Sequence, residues 1–287
     1  MGIRDWFAPR QKQAAPRPGP DPAPRFHRDR GRMFDLGRTH ALAELFAADR
    51  AARDEAWIER FFDAAWCGSV VLSDPPTFLG PDGFPYLRLS VPRPETSFDS
   101  QCLANLAEDC LRNGVGAALF ASPDDPPEAA QYVLSLGVID SLLRYDSPFG
   151  DPIDLAEAAV PADEGAFSVE QADARQTMIV QRAHDVLVGA PSAEYLPPHL
   201  AHSLHAHLTR SWGMTDPGVQ LVVDTTMRPH RSLVIGRKRS EFPEGAPIDA
   251  MAQALLWHLG PSRMVMLMPE EWSHAQMTKL RSLFEGR

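Results

Sequence analysis

Residues 219–236, VQLVVDTTMRPHRSLVIG, contain two β-rich runs, VQLVVD and RSLVIG, joined by a short loop. Short runs dominated by Val, Leu and Ile and broken by turn formers predict a pair of strands rather than one helix. Working outward from this pair, DVLVG at 185–189 reads as a strand and Pro197 to Ser211 as a helix. On the other side Pro247 to Leu259 reads as a helix and RMVMLM at 263–268 as a closing strand. The resulting order, β-α-β-β-α-β, is that of the ferredoxin-like split unit.

The first half follows a related grammar. THALAELFAADRAARDEAWIERFFDAAW predicts one or two helices, opened by Thr39 as N-cap and broken around Asp49–Arg53. Val70–Leu72 reads as a short strand, GPDG as a turn, and YLRLSV at 86–91 as a half-buried strand. SQCLANLAEDCLRNG predicts a helix capped by Ser97 or Asp99, and Asn113-Gly114 suits a left-handed C-cap. GAALFA and QYVLSL read as strands around a loop, and GVIDSLLRY as a helix. A last helix is expected over EEWSHAQMTKLRSLF, with Glu270 and Glu271 at the positive end of its dipole. The fold class expected is α+β, in two small domains preceded by helices and a tail.

Charge divides the chain. Residues 1–32 carry eight basic residues against Asp5, Asp21 and Asp29, a net +5 in a protein of formal net charge −10, so the remainder carries −15. Proline and charge leave this tail little to bury, so residues 1–37 are expected to be disordered, with IRDWF as a small apolar hook. Asp146 to Glu170 holds seven acidic residues and no basic one, which marks an acidic linker over 146–176. The domains are then 38–145 and 177–287. An acidic body repels a phosphate backbone and argues against nucleic acid as the main ligand. No apolar run approaches the roughly 18 residues that a membrane span needs. The first residues lack the apolar core of a signal peptide. Cys67, Cys102 and Cys110 form no CxxC pair and are odd in number, so a cytoplasmic location is expected.

The densest chemistry lies in LPPHLAHSLHAHLTRSWG, where His199, His202, His205 and His207 fall within nine residues. Leu196, Leu200, Leu204 and Leu208 form one drifting stripe, the expected core face. Two histidines on one helix converge best on a metal at i, i+4, and no pair here has that spacing. The reading favours an amphipathic helix with polar histidines, and His199, His202 and His205 remain the candidate metal set. A second candidate is the basic edge Arg228, His230, Arg231, Arg237, Lys238 and Arg239, at both ends of one predicted strand. It could accept an anionic partner or the chain's own acidic linker. Gly114-Val115-Gly116 closes a helix and precedes a strand, the wrong order for cradling phosphate. Cys102 and Cys110 read as buried small hydrophobes. No catalytic residue is assigned and no cofactor is expected.

HDVLVGAPSAEYLPPHLAHSLHAHL, followed by VQLVVD and RSLVIGRKR, resembles the C-terminal domain of the enhanced serine sensitivity protein family over residues 184–268. FLGPDGFPYLRLSVP, in the first half, resembles uncharacterised bacterial proteins. The resemblance implies a cytoplasmic bacterial protein without catalytic residues, acting through protein contacts. The expectation is therefore a non-catalytic interaction or regulatory protein with a protein partner. The alternative is a small-ligand or metal-binding protein using the His199–His207 helix.

Overall fold

The computed structural model describes residues 33–154, 167–172, 175–180 and 186–285. Of the expected tail, 1–37, residues 1–32 lie outside the described residues, as does the acidic stretch 155–166, while its last residues, from Leu36, already belong to the first helix. The chain divides into two compact units, Met1–Val133 and Leu134–Arg287, each with helices and a sheet, so the class is α+β. The helix over 136–145, which the sequence places at the end of the first domain, groups with the second unit. Among the described residues no helix is long and apolar enough to cross a membrane.

In the first unit, aspartates open each early helical turn. Helix α1 (Leu36–Ala47) starts at Asp35, whose carboxylate accepts from the Gly37 and Arg38 backbone N–H groups. The expected cap, Thr39, lies inside the helix, where its hydroxyl donates to the Asp35 and Ser69 carbonyls. Asp49 caps a short 3-10 turn, Arg50–Ala52, at the expected break, and Asp54 caps α2 (Glu55–Cys67). A carboxylate suits these positions because the first N–H groups of a helical turn lack internal partners.

Strand β1 (Val70–Leu79) is longer than expected and forms a bulged hairpin with β2 (Pro85–Ser90). Residues 100–101 pair with β1 as β3 (Ser100–Gln101), so α3 (Leu103–Asn113) starts later than predicted. Its N-cap is Cys102, with no side-chain capping bond, rather than Ser97 or Asp99. Gly114 takes the expected left-handed C-cap, at φ 64°. β4 (Gly116–Phe120) runs parallel to β2, and β5 (Tyr132–Leu134) closes the order β3-β1-β2-β4-β5. All five β4 residues are buried, as a central parallel strand requires.

The second unit opens with α4 (Leu136–Tyr145), capped by the Ser135 hydroxyl. Two strands, β6 (Phe167–Ala172) and β7 (Arg175–Val180), pair as an antiparallel hairpin that spans the expected boundary between the linker and the second domain at 176. β8 (Leu187–Gly189), α5 (Pro198–Ser211), β9 (Gly218–Val223), β10 (Arg231–Ile235), α6 (Ile248–Ala254) and β11 (Met264–Leu267) follow in the expected order. α6 tightens into a 3-10 turn at Leu255–Trp257. The pairing differs from a ferredoxin-like unit, because the strands keep chain order instead of interleaving. β11 runs parallel to β10, and β10 antiparallel to β9. The other edge of β9 is shared by β8, beside Leu221–Val223, and by β12 (Thr278–Lys279), beside Gly218–Val219.

β12 also explains why the last predicted helix is not one. Its middle is spent on sheet pairing, leaving 3-10 turns at His274–Gln276 and Leu280–Leu283. Met277 and Leu280, buried on either side, anchor that exchange.

Candidate functional site

The histidine helix is sorted by its neighbours. Leu196, Leu200, Leu204 and Leu208 are all buried, so the apolar stripe is the core face as predicted. His199, Ser203 and His207, at i, i+4 and i+8, carry the polar contacts of α5 within the second unit. His199 Nε2 lies 2.8 Å from Asp140 Oδ1 on α4. Asp140, 1% exposed, also accepts from Arg144 Nε at 2.8 Å, and Arg144 Nη1 donates to the Glu194 carbonyl at 2.6 Å. Ser203 Oγ lies 2.9 Å from His258 Nδ1, and the His207 ring centroid stands 4.9 Å from that of His258. His202 and His205 lie elsewhere, edge-on to Phe284 at 5.1 and 5.5 Å.

The proposed metal set is thus divided between the Asp140 carboxylate and the Phe284 ring. Among the described residues no three His, Cys, Asp or Glu gather to hold a metal. Burial, followed by the neighbouring His207, pushes His258 down to about 3, so its ring is neutral at ordinary pH. Burial also lowers His207, and burial followed by Arg281 and His202 lowers His205.

The basic edge is split along β10, with three of its residues before or at the start of the strand and three after its end. At one end Arg228 donates to the Thr225 and Met227 carbonyls and contacts His230. At the other, Arg237 donates to the Trp212 and Glu241 carbonyls and Lys238 to the Glu270 carbonyl. Arg239 pairs with Asp249 across an exposed surface. These are mostly local ties that hold loops in place.

Arg231 behaves differently. Its guanidinium lies 2.7 Å from Asp154 and 2.9 Å from Asp151, while Arg263 stands 3.2 Å from Asp151 and 2.9 Å from Asp154. Of the two sequence readings of this arginine, the structure shows the chain's own acidic segment as its counter-ion.

The quartet is enclosed. Asp154 is fully buried and Asp151 nearly so, and the Tyr195 ring lies against both guanidiniums at 4.0 Å (Arg263) and 5.5 Å (Arg231). Arg263 also donates to the Tyr145 hydroxyl. Close backbone approach brings the acids in: Asp151 N donates to Ser262 Oγ, and a Cβ on Gly150 (φ 114°) would lie 2.1 Å from that oxygen. Burial works against ionising Asp151, but the Ile153 N–H and both arginines outweigh it and hold the carboxyl below its usual value. For Asp154 burial prevails and pushes the carboxyl up against the pull of Arg263 and Arg231. Burial pushes the Tyr195 hydroxyl up to about 12.

Asp140, Asp151, Asp154, Tyr195 and Arg263 escaped the sequence reading. One signal was present: DPID at 151–154 has the Asp-Pro pair that opens helices, and Asp151 does accept from Ile153 N at 2.9 Å. Cys102 and Cys110 are buried, as expected, and so is Cys67; burial raises Cys102 and pushes Cys110 up to about 12.

Each unit carries an open groove among its described residues. In the second, about 520 Å³ lies between α6 and the start of β11, walled by Pro229, Ala252, Leu256, Pro261, Met264 and Val265. Among the described residues β11 pairs with β10 alone. In the first, about 820 Å³ lies between α1 and α2. Comparison with known proteins finds no matching family model, no matching curated protein and no matching solved structure.

Proposed function

We propose that this chain is a non-catalytic, cytoplasmic protein that works by contacting another protein, with the α6–β11 groove as its contact site. The observation that carries the reading is the groove itself, where apolar side chains, with Asp249 and Gln253 beside them, border a strand with a single strand neighbour among the described residues. Such an edge suits an extended peptide that adds backbone hydrogen bonds while its alternate side chains enter the groove. The acidic body and the free thiols suit a cytoplasmic protein partner better than nucleic acid. The resemblance over residues 184–268 supports the same class.

The reactive side chains also have structural employment. Buried Arg263 and partly buried Arg231 are paired with the chain's own aspartates, and His199 is held by Asp140. The test is selection of random peptides displayed on phage against the full chain. Enrichment of alternating apolar peptides, with binding reduced at least tenfold by Ala252→Arg, is the expected result. Enrichment indifferent to that substitution removes the groove from the proposal. Turnover of a defined substrate, abolished by a point substitution, would overturn the non-catalytic reading.

A further inference from the structure

The α1–α2 groove of the first unit has a small-residue floor and an acidic rim. Ala41, Ala48 and Ala64 line it beside Leu45 and Trp57, so the helices leave open space where larger side chains would fill the seam. Asp35, Glu44, Glu59 and Asp63 stand around it against Arg38 and Arg60. Arg38 is already committed, 3.4 Å from Asp63 and 3.9 Å from Asp35, and Arg60 Nε donates to the Ala56 carbonyl. Glu44 and Glu59, exposed on different helices, have no cationic partner among the described residues. The cavity falls within the roughly 300–1,000 Å³ range of sites that accept a bulky apolar group.

We propose that this groove is the docking site of the chain's own residues 3–12, IRDWFAPRQK. The segment has the complementary chemistry: Ile3, Trp6 and Phe7 suit the alanine floor, and Arg4, Arg10 and Lys12 suit the glutamates. It is the one part of residues 1–32 that joins a tryptophan to basic residues. The tether favours it as well, because the described chain enters at Met33 and Asp35 is itself part of the groove lip. A proline-rich spacer extends about 3.1 Å per residue, ample for residues 13–32 to return to a groove beside their own exit point. Tethering supplies an effective concentration on the order of millimolar, so a weak intrinsic contact is enough. This inference is independent of the α6–β11 groove.

The experiment is ¹⁹F NMR of the full chain labelled with 5-fluorotryptophan, with the Trp6 signal among the six assigned by Trp6→Phe. The docked tail gives a Trp6 signal displaced from that of a free indole. Glu44→Lys with Glu59→Lys, both at exposed positions, is expected to return that signal to the free position and leave those of Trp66, Trp212, Trp257 and Trp272, which do not line the groove, unmoved. A Trp6 signal at the free position in the unmodified chain overturns the proposal, as does displacement insensitive to the charge reversal. Displacement lost on dilution also overturns it, since the occupant would then be a second copy of the chain.

Discussion

Arg263 Nη1 lies 2.9 Å from Asp154 Oδ2, and the two side chains are 3% and 0% exposed. A charge so enclosed depends on its partner. Removing one member of a buried pair leaves the other uncompensated and costs about 3–5 kcal/mol, whereas an exposed pair contributes about 0–1. Asp154→Ala is therefore expected to destabilise the second unit by about 3–5 kcal/mol in urea denaturation of the full chain. Pairing Asp154→Leu with Arg263→Met should recover much of that loss. A single-variant cost near 1 kcal/mol or less, the exposed-pair value, would show that water reaches the quartet.

His258 supplies a pH dependence with a definite sign. Its folded value, about 3, lies below the ordinary 6.5, so the unfolded chain takes up the proton first as the medium is acidified. Stability should fall by up to about 1.4 kcal/mol per unit as pH drops from 6.5 toward 3, with no contribution above that window. Asp151, held low, adds a loss at the acid end of the range, while Asp154, held high, works the opposite way. His258→Gln isolates the histidine: its unfolding free energy between pH 6.5 and 4.5 should vary less than that of the unmodified chain. Equal slopes would mean that the ring is not buried neutral.

The histidine helix should respond unevenly to alanine. His199→Ala removes one partner of a buried carboxylate and is expected to cost about 1–3 kcal/mol. His202, exposed against Phe284, should cost under about 1 kcal/mol as a surface position. Thermal or urea denaturation of the two variants side by side checks the ranking. Equal losses would remove the distinction between the two sides of α5.

Gly137 sets two effects against each other. Alanine in a helix is favoured over glycine by about 1 kcal/mol. Here its Cβ would fall 1.9 Å from the Leu259 carbonyl oxygen, so α4 or the 259–260 backbone must shift. Such overpacking costs about 1–3 kcal/mol, and clashing with backbone places this site toward the upper end. Gly137→Ala is expected to lower stability despite the better helix former, and a rise in the denaturation midpoint would refute the close approach.

What could be read in the sequence was local. The leucine stripe of α5, the β9 and β10 runs and the Gly114 C-cap all follow from spacing or backbone chemistry over a few residues. Thr39 failed as a cap because Asp35, one turn earlier, has the stronger acceptor and the right position. The final helix failed because its periodicity could not reveal that β9, far away in sequence, had a vacant edge for residues 278–279. The quartet was hidden for a related reason. Asp151 and Arg263 are 112 residues apart, and no local pattern pairs them. Only the excess of acid in one stretch and of base in another hinted at it.

That separation has a consequence for how the protein is made. Asp154 is synthesised 77 residues before Arg231, and Asp151 112 residues before Arg263. At about 5–20 residues per second, the acids wait on the order of five to twenty seconds for their counter-ions. During that interval their carboxylates cannot be drawn out of water without the full desolvation penalty. Burial of the Asp151 and Asp154 carboxylates is therefore expected to be a late event on the ribosome, completed when Arg263 arrives. A nascent chain stalled before that residue should be cut by protease within 146–154, and one released after it should resist.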